Sequence, residues 1–246
     1  MDQQLLGRES RPEHAQMLEL ASTRYVTYRV LASAFLPPTP ERVDGIVMMP
    51  SGIIDDPIAA RFPYFPAWRE FLLEFGGLAA QPLSDIHRRY NAAFANENAD
   101  SSEMLHESQY LTGSEHERAE VVRDLVKRFN NAGLTVGAES NLPPDHISVQ
   151  LEYLAVLCDL EATGWNDEEP RQAVRALRLG RAYLRKHLCW WLPQLERQLA
   201  LTAPDSVYLS AARAVTEFTH HELDLLDMII QICEQTPAPE GGSRDA

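Results

Sequence analysis

The sequence predicts an all-α protein, a single-domain bundle of about eight to ten helices. Long stretches place apolar side chains three and four residues apart, the spacing of one helix face. Short β-branched runs such as Gly45-Ile46-Val47 are too isolated to build a sheet. The strongest pattern lies in residues 142–195, two long apolar segments joined by an acidic loop. We expect the rest of the chain to pack around this pair.

Size and composition favour one folded unit. With 246 residues, 45% of them hydrophobic and 24% charged, the chain has a globular composition and can bury a sizeable core. No extended low-complexity linker divides it. We therefore expect a helical domain over residues 1–236 and a flexible tail, rich in Pro, Gly and charge, over 237–246.

The first third of the chain predicts three helices and a loop. Apolar spacing places them at 12–36, at 39–49 and from Trp68 to Gly76-Gly77. Thr39 is expected to cap the second helix, because its hydroxyl can accept from a first-turn N–H, and Pro40 suits the first helical position. Residues 50–65 are rich in Pro and Gly, which indicates a loop or a broken helix.

Two further helices precede the central pair. The first is expected at 83–94, capped by Ser84 or Asp85. The polar stretch Ala95–His116 follows, and loops of this length are usually functional or mobile. The next helix, 115–130, should turn Val121, Val122, Leu125, Val126 and Phe129 inward, with Gly133 as a left-handed cap.

The central pair is expected to start at Asp145, an N-cap whose carboxylate can accept from a first-turn N–H. Its first helix, Ile147 to Glu161, is apolar on most sides and should be buried on several. The second helix is expected from Glu169 to Trp191, where Pro193 closes it. A short helix at 194–200 and a long one at 205–233 complete the bundle.

Charge and cysteine content exclude several classes of protein. The net charge of −14 disfavours nucleic-acid and anionic-membrane binders, which need a basic surface, and favours basic partners. The three cysteines are far apart and form no metal-binding spacing, so they are expected to be buried thiols in a reducing compartment. With no signal-peptide core and no membrane-length apolar run, the protein is expected in the cytoplasm.

Three short runs carry a family resemblance: Pro144-Asp145-His146, Leu151-Glu152-Tyr153-Leu154, and His187-Leu188 with Trp191. They are similar to motifs of the TorD/DmsD/NarJ family, cytoplasmic maturation chaperones of molybdenum enzymes. Two further pieces agree, Tyr90-x-x-x-Phe94 and Glu107-Ser108-x-Tyr110. Where the family often has Asp and Phe before its His-Leu pair, this chain has Gly180 and Leu184, which indicates a divergent branch.

The resemblance implies a fold, a client and two tasks. The fold would be all-α, and the client would be the catalytic subunit of an enzyme of the dimethyl-sulfoxide-reductase superfamily. The chaperone would bind the client's N-terminal twin-arginine leader and delay export. It would also keep the subunit open until its molybdenum cofactor is inserted. The cofactor would belong to the client, and the chaperone itself would hold none permanently and would not be an enzyme.

Ten residues are candidate partner contacts, each with a structural alternative. Asp145 could be only an N-cap, Glu152 only a solvated carboxylate, and Trp191 only a core side chain. A lone His such as His187 is more often packed or hydrogen-bonded than a ligand. The arginines of the leader could contact the candidate acids Glu152, Asp159, Asp167, Glu168 and Glu169. The full set is Asp145, His146, Glu152, Tyr153, Asp159, Asp167, Glu168, Glu169, His187 and Trp191.

Two rival functions stay open at this point. His220, Asp224 and Asp227 share one helix face and could serve a helical metal-dependent hydrolase, although such partial ligand clusters often arise by chance. A structural subunit of a respiratory complex is the third possibility. No phosphate-binding loop, dinucleotide-binding glycine pattern or nucleophile elbow is present, so no motif assigns a reaction.

Overall fold

The computed structural model describes residues 12–50, 59–94, 103–111, 114–134 and 142–235. Within these ranges the protein is all-α, and the predicted fold class is confirmed. The predicted boundary between the domain and its tail at 237–246 lies outside the described residues and stays a prediction. The described helices are α1 Pro12–Ala34, α2 Pro40–Met48, α3 Phe65–Ala79, α4 Leu83–Phe94, α5 Glu115–Asn131, α6 Ile147–Asn166, α7 Pro170–Lys186, α8 Leu188–Thr202 and α9 Val207–Gln235.

Helix α6 is the centre of the bundle, as its apolar circumference predicts. It packs along α1 on one side and along α7 on another, while α9 packs against α3, α7 and α8. Twelve of its 20 residues are buried, including Leu151, Leu154 and Cys158. Each fully buried Leu side chain contributes about 2 kcal/mol through removal of apolar surface from water, so the leucines of α6 contribute several kcal/mol to the stability of the core.

The α6–α7 turn is tight because Gly164 lies directly against the start of α7. A Cβ at Gly164 would fall 2.6 Å from the backbone nitrogen of Ala173. The chain reverses through Glu168, which adopts a left-handed conformation with φ 57°. The N–H of Glu169 then donates to the Gly164 carbonyl at 2.8 Å, which closes the C-terminal turn of α6.

Local signals predicted some helix ends correctly. The Thr39 hydroxyl accepts from the Arg42 N–H at 3.3 Å, and Gly133 is left-handed with φ 78°, both as predicted. Gly76-Gly77 does not end α3, which continues to Ala79. Nothing lies within 4 Å of a Cβ at either glycine, so the pair is simply part of an open helix face.

The predicted bounds of α4, 83–94, are correct, but its predicted cap is not. Helix α4 starts at Leu83, so Ser84 and Asp85 lie in its first turn instead of capping it. Of the three cysteines, Cys158 is buried as predicted, whereas Cys189 and Cys233 are partly exposed. None of the described helices is long and apolar enough to cross a membrane.

The predicted helix Glu169–Trp191 is two helices. Helix α7 ends at Lys186, α8 begins at Leu188, and His187 between them has φ −116° and ψ −85°, outside the helical region. Pro193 does not close the segment and lies inside α8. Apolar periodicity continues across the break through Leu184, Leu188 and Trp191, all fully buried, so the spacing alone cannot reveal it.

Candidate functional site

Residues 103–111 form a strap that crosses the start of α6. The strap contains two 3-10 turns, Glu103–Leu105 and Glu107–Tyr110. His106 pairs with His146 in an isolated antiparallel bridge, and the Glu107 N–H donates to the Asp145 carbonyl at 3.0 Å. Its Leu105 side chain is fully buried. The strap is therefore an integral part of the bundle, although it comes from the stretch that the sequence predicts as a loop.

Asp145 is not the N-cap of α6, contrary to the prediction. His146 takes that position, and its Nδ1 accepts from the Ser148 N–H at 3.1 Å. The Asp145 carboxylate instead accepts from two strap residues, from His106 Nδ1 at 3.2 Å and from the backbone N–H of Ser108 at 3.4 Å. The side chains of Asp145 and His146 are both buried.

The environment shifts the pKa of both side chains. Burial, with His106 beside it, lowers the pKa of His146 to about 4, so its ring stays neutral and can accept the capping hydrogen bond. Burial alone would raise the pKa of Asp145, but the hydrogen bonds from His106 and Ser108 outweigh it and lower that pKa. A carboxylate and a neutral imidazole thus stand side by side where the strap meets α6.

A buried carboxylate, Glu107, ties the strap to the α7–α8 junction. It accepts from His187 Nδ1 at 2.9 Å, from Trp190 Nε1 at 3.2 Å and from Gln150 Nε2 at 3.0 Å. The side chains of Glu107 and His187 are each 1% exposed. Donors from α6, from α8 and from the junction between α7 and α8 therefore converge on one carboxylate. Sequence analysis noted Glu107 only as part of a family motif and did not propose it as a site residue.

His187 also reaches α5 through its second ring nitrogen. Its Nε2 lies 3.0 Å from Asp124 Oδ2, so each of the two ring nitrogens faces a carboxylate. Lys186 and Arg128 also contact Asp124, at 3.0 Å and 2.7 Å. Partial burial would raise the pKa of Asp124, but hydrogen bonds from Arg128, Lys186 and His187 hold it well below its usual range.

A cleft of about 670 Å³ opens between the strap, α5 and the start of α8. Its charged lining is mainly acidic, with Glu117, Glu120 and Asp124 on α5 opposite Lys186. Leu111, Val121 and Trp190 supply apolar surface, and Glu107 and His187 form part of the wall. The cleft can therefore hold a segment that combines positive charge with apolar side chains.

The remaining predicted contacts lie elsewhere. Trp191 is fully buried and stacks on Tyr110 at 5.3 Å between ring centroids, so it is a core residue. Tyr153 is buried against Phe129 and Tyr183. Glu152 is partly exposed and accepts from Arg29 of α1; burial raises the pKa of Glu152 despite this partner.

The predicted acidic contacts do not meet the cleft. Asp159 is exposed midway along α6, and Asp167, Glu168 and Glu169 are exposed at its C-terminal end. Helix α6 has 20 residues, so this loop lies about 30 Å from the strap end. The structure thus brings Asp145, His146 and His187 together and separates them from the acidic loop.

A second buried charge cluster escaped sequence analysis. Arg24 of α1 donates to both carboxylate oxygens of Glu222 at 2.9 Å and to Glu161 at 2.7 Å, and the Tyr28 hydroxyl donates to Glu222 at 3.0 Å. Burial raises the pKa of Glu161 although Arg24 opposes the shift. One signal was available: Glu222 falls on the apolar stripe of α9 between Phe218 and Leu225.

The predicted metal-ligand set is not assembled. Both carboxylate oxygens of Asp227 accept from arginines of α7, Arg181 at 3.1 Å and Arg185 at 2.8 Å. Over the described part of the chain, no group of three His, Cys, Asp or Glu side chains is placed to hold a metal ion. His220 and Asp224 are exposed on α9 with no third ligand beside them.

Comparison with known proteins gives consistent results. Residues 58–197 match the family described as nitrate reductase delta subunit. The chain is 27% identical to the selenate reductase assembly chaperone protein of Thauera selenatis over 71% of this chain and 88% of that one. It is 26% identical to the chlorate reductase assembly chaperone protein of Ideonella dechloratans, over 65% and 81%. Chaperone protein TorD of Vibrio cholerae is 28% identical, over 46% of this chain and 49% of TorD.

Proposed function

Because the chain belongs to the nitrate reductase delta subunit family, we propose that it is an assembly chaperone for a molybdenum-containing redox enzyme. The observation that carries the proposal is the family match together with relatives that are themselves named as assembly chaperones of selenate and chlorate reductases. The predicted resemblance to the TorD/DmsD/NarJ family is confirmed. The hydrolase alternative gains no support from these relatives.

The client would be the catalytic subunit of a reductase of the dimethyl-sulfoxide-reductase superfamily. The chaperone would act in the cytoplasm, without catalysing a reaction, and would hold the subunit until its molybdenum cofactor is inserted. That cofactor would belong to the client.

The cleft is the proposed contact for the client's leader. A twin-arginine leader has a basic start followed by an apolar segment. Glu117 and Glu120 would face its arginines, while Leu111, Val121 and Trp190 would cover part of its apolar segment. In this proposal Asp145, His146 and His187 act indirectly, because their hydrogen bonds hold the strap that forms one wall of the cleft.

The acidic loop at Asp167, Glu168 and Glu169 is a second proposed contact for leader arginines. Its side chains are exposed and accessible, but they lie at the far end of α6 from the cleft. A leader could not place one arginine pair against both sites, since these are about 30 Å apart. The two placements therefore make opposite predictions for charge-reversal variants at each site.

Deletion of the gene tests the chaperone function. The molybdenum-containing reductase of the same organism should lose most of its activity and its bound molybdenum in the deletion strain, while its polypeptide is still made. A plasmid copy of the wild-type chain should restore both. Unchanged molybdenum content and activity in the deletion strain would contradict the proposal. A plasmid carrying an unrelated soluble helical protein controls for expression effects.

A further inference from the structure

A second open groove, of about 640 Å³, lies between α3, α4 and the start of α9. Its charges are divided between the helices that form it. Helix α3 contributes Glu70 and Glu74, whereas α4 contributes Arg89 and α9 contributes Arg213. Asp205, in the link before α9, adds a further acid. We call this site the charged groove, because both signs of charge line it.

The charges of the groove do not neutralise one another within the chain. Glu70, Glu74 and Arg89 are exposed and form no ion pair with any side chain in the described part of the protein. Arg213 approaches only Glu196, at 3.8 Å, and both of these side chains are partly exposed. The acids of α3 and the arginines of α4 and α9 therefore remain available to an outside partner.

Two exposed leucines flank the charged groove. Leu73 lies on α3 between the two acids and is 51% exposed. Leu201, near the end of α8, is 85% exposed and precedes by three residues Pro204, which lines the groove. Apolar side chains exposed beside a concave surface with a polar rim are typical of a protein–protein contact. The surface thus combines a groove with apolar side chains that can fill one.

The distribution of charge indicates which partner fits. A uniformly basic partner would be attracted by the acids of α3 and repelled by the two arginines, and a uniformly acidic partner would meet the reverse. A second copy of this chain, rotated by 180°, places α3 of each copy against α4 and α9 of the other. Acids then face arginines twice, which is the self-complementarity that a two-fold contact requires.

We propose that the charged groove is the interface of a two-fold symmetric dimer of this chain. The inference goes beyond the proposed chaperone function and does not depend on it. No residue lines both this groove and the cleft proposed for the leader, so the dimer would leave two such clefts open. Each copy carries a net charge of −14, so long-range repulsion opposes association and the dimer should be reversible.

A charge exchange between two variants tests the two-fold contact. Sedimentation velocity of the full-length wild type should show a shift from monomer to dimer with rising concentration. Glu74→Arg sets arginine against arginine, and Arg213→Glu sets acid against acid. Each change alone should raise the dimer dissociation constant by about tenfold or more. An equimolar mixture of the two variants should dimerise nearly as the wild type does, because every pair across the contact is again of opposite charge.

Matched variants separate the contact from general effects of charge and hydrophobicity. Glu19→Arg on α1 makes the same change at an exposed acid outside the groove and should leave dimerisation unchanged. Leu201→Asp should weaken the dimer by about tenfold. Met228→Asp alters a 52% exposed side chain of α9 outside the groove and should have no such effect. If circular dichroism shows that Arg213→Glu is unfolded, Arg89→Glu replaces it.

Several results would overturn the dimer. A wild type that stays monomeric at every concentration would do so, as would a dimer that Glu74→Arg and Arg213→Glu leave intact. Monomers in the equimolar mixture would exclude a two-fold contact. Weaker binding of a synthetic leader to Glu74→Arg than to the wild type would make the leader the occupant of the groove. Absence of leader binding to the wild type would count against the proposed function and not against the dimer.

Discussion

Gly164 of α6 lies so close to Ala173 of α7 that a Cβ on the glycine would fall 2.6 Å from the Ala173 nitrogen and 3.0 Å from its Cα. The obstacle is backbone, which cannot rotate away as a side chain can. Gly164→Ala should therefore separate the two helices and lower the free energy of unfolding by about 3 kcal/mol. Urea denaturation followed by circular dichroism measures this change.

Gly76→Ala is the matched control for that variant. Gly76 also lies inside a helix, but nothing lies within 4 Å of a Cβ there. Alanine has the higher helix propensity, so this substitution should stabilise the protein by up to about 1 kcal/mol. Opposite signs at the two glycines are expected. A stabilising Gly164→Ala would show that the α6–α7 contact is less tight than the structure indicates.

The capping role of His146 predicts a pH-dependent stability. Its pKa is about 4 in the folded chain, against the ordinary value of 6.5, so the unfolded state binds more protons between these two values. This contribution is present above pH 6.5 and is lost as the pH falls towards 4. Between pH 7 and pH 5 it amounts to about 2 kcal/mol.

His146→Asn separates the cap from the titration. Asn is a good N-cap and does not titrate, so the variant should retain near-wild-type stability at pH 7 and lose less of it at pH 5. The difference between the two unfolding curves should be about 2 kcal/mol. Parallel pH dependence in both proteins would exclude His146 as the titrating group.

Loss of the Glu107 carboxylate should release the strap. Glu107→Gln removes the buried charge that accepts from His187, Trp190 and Gln150, which should cost about 2 kcal/mol of unfolding free energy. Amide hydrogen exchange over residues 103–111 should accelerate more than exchange in α6. Glu103→Gln changes an exposed carboxylate of the same strap and should alter neither quantity. Equal behaviour of the two variants would argue against the buried anchor.

The Arg24 cluster gives a contrast between a buried and a partly exposed ion pair on one helix. Arg24→Met leaves Glu161 and Glu222 buried without their cation and should destabilise the protein by about 4 kcal/mol. Arg29→Met removes the partner of Glu152, where both side chains are partly exposed, and should cost no more than about 1 kcal/mol. Chemical denaturation of both proteins decides whether burial sets the difference.

Charge reversal distinguishes the two proposed leader contacts. A synthetic leader of the client is titrated calorimetrically into the wild type, Glu120→Lys in the cleft and Glu169→Lys in the acidic loop. Both acids are exposed, so neither change should disturb the core. If the cleft is the contact, only Glu120→Lys should weaken binding, by roughly fivefold. Wild-type binding should also fall with salt, since exposed charges are screened beyond about 8 Å at physiological ionic strength.

Sequence patterns predicted the parts of the fold that depend on local chemistry. Thr39 and Gly133 act as predicted because capping and left-handed turns depend on one or two residues. The break at His187 was not predictable, because it depends on Glu107 and Asp124, which are distant in the chain. The single-helix prediction failed there, since leucines at helical spacing continue through the junction.

The candidate site was predictable only in part, for a related reason. Asp145, His146 and His187 come together as partners of one strap, but spacing could not show that the strap lies across them. Asp145 was assigned the cap that belongs to His146, because capping preferences favour Asp over His. Asp167, Glu168 and Glu169 were predicted as contacts because their charge suits a basic leader. Charge does not show where a residue lies, and these three lie at the opposite end of α6 from the strap.

The buried contacts of Arg24 also constrain how the protein is made on the ribosome. Arg24 contacts Glu161 and Glu222, which follow it by 137 and 198 residues. Helix α1 therefore cannot complete its docking until α6 and then Glu222, midway along α9, have left the exit tunnel. At a synthesis rate of about 5–20 residues per second, α1 waits on the order of ten seconds or more with its apolar surface uncovered. The nascent chain is thus itself expected to need protection until α9 has emerged.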